Sequence, residues 1–237
     1  MHALDVVAVS QHLGRAFEKR VLDLWAVVLG VDASLLDSDG MVVVEDRRHF
    51  AAHRRATIRT ARGTILLVAP SEMQVAVADP HAYSSDVMER ARATGLLHYL
   101  VGAPAGSLDP RVRVLDAGDR PLLDALQTEA GADASQEAEV DVEHPLAVGI
   151  IEDGRLLAMA SLLEEGGDAV DVGVLVDPAQ RRRRLGTAVV RDIAERAASS
   201  GRLVQYRCRR ENEASARLAH ACGFTVWGVL TVASQPD

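Results

Sequence analysis

The chain has 237 residues, 48% of them hydrophobic and 25% charged, which is typical of a globular protein with one large domain or two small ones. Its net charge of −8 argues against nucleic acid as the main partner, because phosphate binding needs a broad basic face. Two cysteines predict no disulfide framework, and no apolar run approaches the roughly 18 residues of a membrane-spanning helix. With no signal-peptide pattern, we expect a cytoplasmic protein without a membrane partner.

The first hundred residues predict a small α/β region. Residues 10–30 carry apolar side chains at three- and four-residue spacing, which predicts a helix that ends at Gly30. The further predicted elements are strands at 41–44 and 64–69, helices at 71–78 and 85–94, and a strand at 96–101. His49 and His53 are four residues apart and could share a helical face as metal ligands do, but no third ligand lies nearby in the sequence. We interpret them as part of a solvated face and predict no metal site.

Residues 102–110 contain two prolines and two glycines and predict a boundary between regions. We therefore divide the chain into 1–105 and 111–237. Within the second region, Asp153-Gly154 between apolar runs predicts a hairpin, whereas the acidic residues 132–143 predict no regular element. The predicted order from Arg111 is β-α-β-β-β-α-β-α-β.

The stretch 171–188 carries the strongest functional pattern. A buried strand at 170–176 ends at Asp177-Pro178, four consecutive arginines follow, and a helical apolar stripe begins at Leu185. The first N–H groups of a helix have no intrahelical partner, and the helix dipole favours negative charge there. The order strand, basic loop, helix therefore predicts a phosphate or pyrophosphate site. A solvated basic run or a nucleic-acid patch is the alternative for the arginines.

The pattern Val176-x-Pro178-x-x-Arg181-x-Arg183-x-Leu185-Gly186-x-Ala188 resembles the acyl-CoA-binding signature of the GCN5-related N-acetyltransferases (GNAT). The pattern Asn212-x-x-Ser215-x-x-Leu218 with Gly223-Phe224 resembles the last helix of that family. The resemblance implies a mixed α+β acyltransferase fold at 111–237, with acetyl-CoA as acyl donor. It implies that the coenzyme is bound by Val174, Leu175, Val176, Arg181, Arg182, Arg183, Arg184, Leu185, Gly186, Thr187, Asn212 and Ser215.

The chain departs from the family pattern at two positions. Arg184 stands where the family has the first glycine of the loop, and Ala219 stands where many members have a tyrosine that protonates the leaving thiolate. Tyr206 is a candidate replacement for that acid, against the more common role of a buried core tyrosine. Gly173 is expected to help open its strand by a bulge, as in the family.

Residues 41–70, the linker 102–104 and residues 143–149 look like a group of actinobacterial acetyltransferases in which an α/β region precedes the catalytic domain. For the base that activates the amine, the sequence offers Asp171, on the coenzyme-pairing strand, and Glu164, at the end of the preceding strand. We expect acetyl transfer to a primary amine of a small molecule or amino acid, and a homodimer stays open. The alternatives are a transferase with another acyl donor and a catalytically degenerate acyl-CoA-binding sensor.

Overall fold

The structure, a computed structural model, describes residues 14–46, 55–104 and 108–233. The chain forms two compact units that interleave along the sequence. The first unit comprises Met1–His98, Arg207–Glu213 and Thr225–Asp237, and the second comprises Tyr99–Tyr206 and Ala214–Phe224. The predicted division into domains 1–105 and 111–237 stays a prediction.

In chain order the first half contains α1 (Arg15–Leu29), α2 (Ala33–Leu36), β1 (Gly40–Glu45), β2 (Arg55–Thr60), β3 (Gly63–Val68), α3 (Met73–Ala78), α4 (Pro80–Glu89) and β4 (Ala91–Leu100). The second half contains β5 (Val112–Val114), α5 (Arg120–Ala130), α6 (Ala132–Ala138), β6 (Ala147–Glu152), β7 (Arg155–Gly166), β8 (Ala169–Val176), α7 (Leu185–Ser199), β9 (Leu203–Arg209), α8 (Glu213–Ala221) and β10 (Phe224–Ala233). None of the described helices is long and apolar enough to cross a lipid bilayer.

The first unit contains the strand order β1-β3-β2-β10. β1 and β3 are parallel, whereas β2 runs antiparallel to both β3 and β10. Gly30 ends α1 in the left-handed region, with φ 71°, as the sequence predicts. His49 and His53 lie outside the described residues, as do residues 10–13 of the first predicted helix.

In the first half, one predicted helix was misplaced and one strand was missed. The helix expected at 85–94 is α4, which begins at Pro80 because the Asp79 side chain accepts the Ala82 N–H at 2.9 Å and proline suits the first helical position. Residues 91–94 are the start of β4. β2 was not predicted at all; its sequence, RATIRT, gives only a short and irregular alternation.

The second unit contains the order β9-β8-β7-β6-β5, in which β8 and β9 are parallel and the other pairs antiparallel. The predicted hairpin between β6 and β7 is confirmed, with Asp153 and Gly154 both at positive φ, the combination that a two-residue type I′ turn requires. The single helix expected between β5 and β6 was wrong, because α6 follows α5 after Gly131. α6 has no fully buried residue, so its sequence carries no apolar stripe.

Opposite faces of β8 pack against different helices. Leu175 lies in a core cluster with residues of α5, including Leu123 and Leu126. Val176 faces the start of α7, where an added Cβ on Gly186 would lie 3.2 Å from the Val176 Cγ2 atom. Because successive side chains of a strand alternate, residues 172, 174 and 176 share the α7 face, and residues 171, 173 and 175 share the other.

Candidate active site

The N-terminus of α7 presents backbone N–H groups that are free to bind a ligand. Arg184 is its N-cap residue and makes no side-chain capping bond, and the first backbone bond runs from the Ala188 N–H to the Arg184 carbonyl at 3.1 Å. Among the described residues, the N–H groups of Leu185, Gly186 and Thr187 have no hydrogen-bond partner. Together with the helix dipole, these three donors form an anion site.

The arginines before α7 differ in their surroundings. Arg183 donates to the Glu152 carboxylate at 2.9 Å and to the Gln180 side chain, so its charge is already paired. Arg181, Arg182 and Arg184 are exposed and make no ion pair with any described residue. Three guanidinium groups are therefore available to an external anion beside the three free amides.

Two of these arginines hold an unusual backbone conformation. Arg182 and Arg184 have φ values of 67° and 62°, in the left-handed region that favours glycine. A non-glycine residue there costs about 1–2 kcal/mol. The glycine that the family pattern places at the position of Arg184 thus has a conformational reason.

Gly186 is required by packing. A Cβ atom at this position would lie 3.2 Å from the Val176 Cγ2 atom and 3.3 Å from the Leu218 Cδ2 atom. The small size of Gly186 brings α7 against β8 and α8. The side chain of Leu185 is likewise buried, so only its N–H can face an anion.

The edge of β8 that faces β9 is open beyond its first three residues. The described register pairs β9 with Ala169, Val170 and Asp171, and Val172 has no partner in it. The Asp177 N–H donates to the Leu157 carbonyl of β7 at 2.9 Å, so by strand alternation the backbone groups of Val174 and Val176 point to the opposite edge. An extended ligand can pair with them there. Leu175 cannot contribute in this way, because its backbone points towards β7 and its side chain is in the core.

Gly173 is needed because another segment of the chain lies close to its Cα atom. The bulge expected at this position was wrong. The β7–β8 register is regular from Asp171 to Val176, and its one irregularity lies between Glu164 and Gly166. An added Cβ on Gly173 would lie 2.2 Å from the Ala138 carbonyl oxygen. The segment after α6 therefore lies directly on this part of β8.

Comparison with known proteins gives the family. The model of the acetyltransferase (GNAT) family matches residues 114–224. Residues 114–224 are a GNAT domain. No curated protein matches the chain.

Several solved structures have a similar fold. A GNAT-family protein from Novosphingobium aromaticivorans is 24% identical, with a TM-score of 0.50 over 61% of this chain and 66% of its own. GCN5-related N-acetyltransferases from Kribbella flavida and Sphaerobacter thermophilus are 17% and 12% identical, each with a TM-score of 0.51, over 81% and 82% of this chain and 73% and 72% of theirs. The chain thus spans about two thirds of the length of the first of these relatives. By family the domain is a transferase.

The two carboxylates expected to act as base lie in different surroundings. Asp171 is buried, in register with Leu163 of β7 and Gln205 of β9, on the same face of β8 as Gly173. Glu164 is exposed, pairs with Arg202 at 3.3 Å and is in register with Val170. Val174 lies four residues after Val170, about 13 Å along a strand, so Glu164 is remote from Val174.

The residues expected on the last helix of the GNAT domain are split between the two units. Ser215, in the first turn of α8, forms a 2.7 Å hydrogen bond with the hydroxyl of Tyr206 on β9. Asn212 belongs to the first unit and donates its N–H to the Arg209 carbonyl at 3.0 Å. Ala219 is fully buried.

The structure also assembles a polar cluster that sequence reasoning missed. The fully buried Ser161, in register with Gly173, accepts the Asp141 N–H at 3.2 Å and lies 2.9 Å from the His144 Nδ1 atom. Arg120 forms a two-point ion pair with Asp141 and holds the pKa of that carboxyl below its usual range. No sequence spacing connects these residues, because they come from β7, the start of α5 and the loop before β6. Within the part of the chain that is described, no group of three or more His, Cys, Asp or Glu residues is placed to hold a metal ion.

Proposed function

We propose that this chain is an acyl-CoA-dependent N-acyltransferase that transfers acetyl from acetyl-CoA to a primary amine of a small molecule or amino acid. One observation carries the proposal: in a GNAT domain, the amides of residues 185–187 and three arginines, all without a partner in the described parts of the chain, lie beside an open strand edge. The amides and guanidinium groups suit a pyrophosphate, and the edge suits an extended amide-containing arm. A coenzyme A donor also fits the cytoplasmic location expected from the sequence.

The residues of the chain would divide the work as follows. The amides of 185–187 would hold the pyrophosphate, and Val174 and Val176 would hydrogen-bond the pantetheine arm through their backbone. Of the two carboxylates, we propose Asp171 as the base, acting directly or through a water, because Glu164 is exposed and already paired with Arg202. The amine would attack the thioester carbonyl, forming the C–N bond as the C–S bond breaks.

We further propose that 111–237 is the catalytic region and that 1–105 helps to set the acceptor. β10 pairs with β2 within the first unit. The two regions are therefore joined by strand pairing and not only by a linker. Limited proteolysis that releases a stable fragment starting near Arg111 with full activity would contradict this.

A catalytically degenerate acyl-CoA-binding sensor is the second candidate. Ala219, at the position where the family pattern has a tyrosine, favours it. The two functions differ in turnover but not in binding.

A mass-resolved acceptor screen with acetyl-CoA tests the proposal. The purified protein is incubated with acetyl-CoA and a panel of amino acids, polyamines and aminosugars, and products about 42 mass units heavier, the net gain when one acetyl group replaces a hydrogen, are sought. An acetylated amine that depends on Asp171 supports the transferase. Coenzyme binding with no product across the panel would favour the sensor.

A further inference from the structure

Acyl transfer from a thioester leaves a thiolate, and the reaction proceeds faster when a donor protonates or hydrogen-bonds that sulfur. α8 offers no tyrosine for this step, since position 219 is a buried alanine. The structure nevertheless places a pair of hydroxyl groups on α8 and β9. A role for them in protonating the thiolate rests on the function proposed above.

The pair is formed by Tyr206 and Ser215, whose hydroxyl oxygens are 2.7 Å apart. Tyr206 directly follows Gln205, the last residue of β9 in register with β8. It therefore stands at the point where the two parallel strands cease to pair, next to the open edge of β8.

The same pair lies on the face of the sheet that carries the anion loop, which comprises the arginines and free amides of residues 181–187. Gln205 and Asp171 are register partners and share one face, so Tyr206 lies on the other, with Val172, Val174 and Val176. On that face Val176 and Leu218 of α8 both border Gly186 at the start of α7. Residues 172–176 span about 13 Å, so the hydroxyl pair and the anion loop lie at opposite ends of the open edge.

The two hydroxyl groups differ in access. Tyr206 is 1% exposed, and its ring packs at 5.5 Å against the ring of Phe224. Ser215 is only partly buried. A ligand along the edge can therefore reach Ser215, with Tyr206 behind it.

We propose that the Ser215 hydroxyl donates its proton to the coenzyme sulfur as the C–S bond breaks, and that Tyr206 is the positioning residue that donates its own proton to the Ser215 oxygen. The C–N bond forms and the C–S electron pair goes to sulfur, which takes the Ser215 proton. Ser215 regains a proton from Tyr206, and the tyrosinate regains one, through solvent, from Asp171, which has taken it from the amine nitrogen. The products are a thiol and an amide, with both hydroxyl groups restored.

The test uses coenzyme A itself, so no acceptor is needed. Ultraviolet absorbance of the thiolate gives the pKa of the thiol of protein-bound coenzyme A in a pH titration. Hydroxyl donors favour the charged thiolate and lower that pKa. Tyr206→Phe and Ser215→Ala should each leave about tenfold less thiolate at a given pH, a rise of about one pKa unit, whereas Ser215→Thr, which keeps a hydroxyl, should titrate like the wild type.

Tyr99→Phe is the matched control. Tyr99 is also fully buried, and its hydroxyl bonds the Gln205 side chain, on the other face of β9 from Tyr206. This variant should titrate like the wild type. If coenzyme A does not bind to the wild type, the proposed function and this inference are both overturned. If it binds and neither Tyr206→Phe nor Ser215→Ala shifts the thiol pKa, the inference alone is overturned.

Discussion

Arg55 and the arginines that precede α7, residues 181–184, show two opposite uses of the same side chain. Arg55, in the first unit, donates to Glu72 at 3.0 and 3.1 Å, pairs with Asp86 and lies 4.7 Å from the centre of the Tyr83 ring. Its hydrogen bonds hold the pKa of Glu72 below the usual range, against the opposing effect of burial. Every charged group in this cluster has an ion-pair partner within the protein.

In the second unit, Arg181, Arg182 and Arg184 project from the surface with no ion-pair partner among the described residues. Two positions of this loop hold the left-handed conformation despite being arginine. The difference teaches that an arginine with all its charge partners inside the protein contributes to stability, whereas unpaired arginines beside free helix amides are available to a ligand. This comparison predicts that mutations in the two regions affect different measurements.

The largest effect is expected from the triple variant Arg181→Ala, Arg182→Ala, Arg184→Ala. Loss of three charge-assisted contacts should weaken coenzyme A binding at least 100-fold, about 2.7 kcal/mol, as measured by calorimetry. The free energy of unfolding should change by no more than about 0.5 kcal/mol, as for other surface substitutions. A triple variant that binds as tightly as the wild type would remove the loop from the coenzyme site.

Arg55→Ala should have the complementary effect. It leaves the partly buried Glu72 without its cation, whereas Asp86 keeps its ion pair with Arg90, so the free energy of unfolding should fall by about 2 kcal/mol in urea denaturation. Unchanged stability would show that solvent screens this cluster and that Arg55 resembles the loop arginines after all.

Single substitutions sharpen the comparison within the loop. Arg182→Ala should weaken coenzyme A binding about tenfold, the low end for a charge-assisted hydrogen bond. Arg183→Ala is the matched control: because Glu152 and Gln180 already hold its guanidinium group, its effect should stay below about threefold. Equal effects of the two substitutions would mean that the loop acts through total charge.

Arg184→Gly separates backbone strain from charge. Glycine removes the strain of the left-handed conformation, about 1–2 kcal/mol, and so stabilises the folded state. It also increases the conformational entropy of the unfolded chain by a similar free energy, so the free energy of unfolding should change by less than about 1 kcal/mol. Coenzyme binding should be retained, because glycine lets the loop close on an anion and the adjacent amides remain. A loss as large as that of the triple variant would assign the binding to the Arg184 charge.

The smallest effect concerns acid. Because the folded-state pKa of Glu72 is depressed, its contribution to stability is full above its unfolded pKa, about 4.3, and is lost as the pH falls through the folded value. Urea midpoints should therefore decline below about pH 4 and decline less steeply in Glu72→Gln. Parallel pH curves for the two proteins would contradict this role for Glu72.

The sequence predicted the elements whose signals are local. The strand–arginine–helix order, the Asp153-Gly154 hairpin and the Gly30 helix end all depend on neighbouring residues. α6 and β2 carried no clear period and were missed. The packing of Gly186 against Val176 and Leu218, the Ala138 carbonyl over Gly173 and the Ser161–His144 contact depend on register and on chain distant in sequence. No spacing rule reaches such contacts.

Calorimetric titration of the wild-type protein with coenzyme A tests the central claim most directly, since the account requires the amides of residues 185–187 and the unpaired arginines to hold a pyrophosphate. We expect binding tighter than about 100 μM, a free energy of at least about 5.5 kcal/mol, that weakens as the salt concentration rises. The absence of binding at about 100 μM coenzyme A would contradict the account, because the donors at the start of α7 would then hold no such ligand.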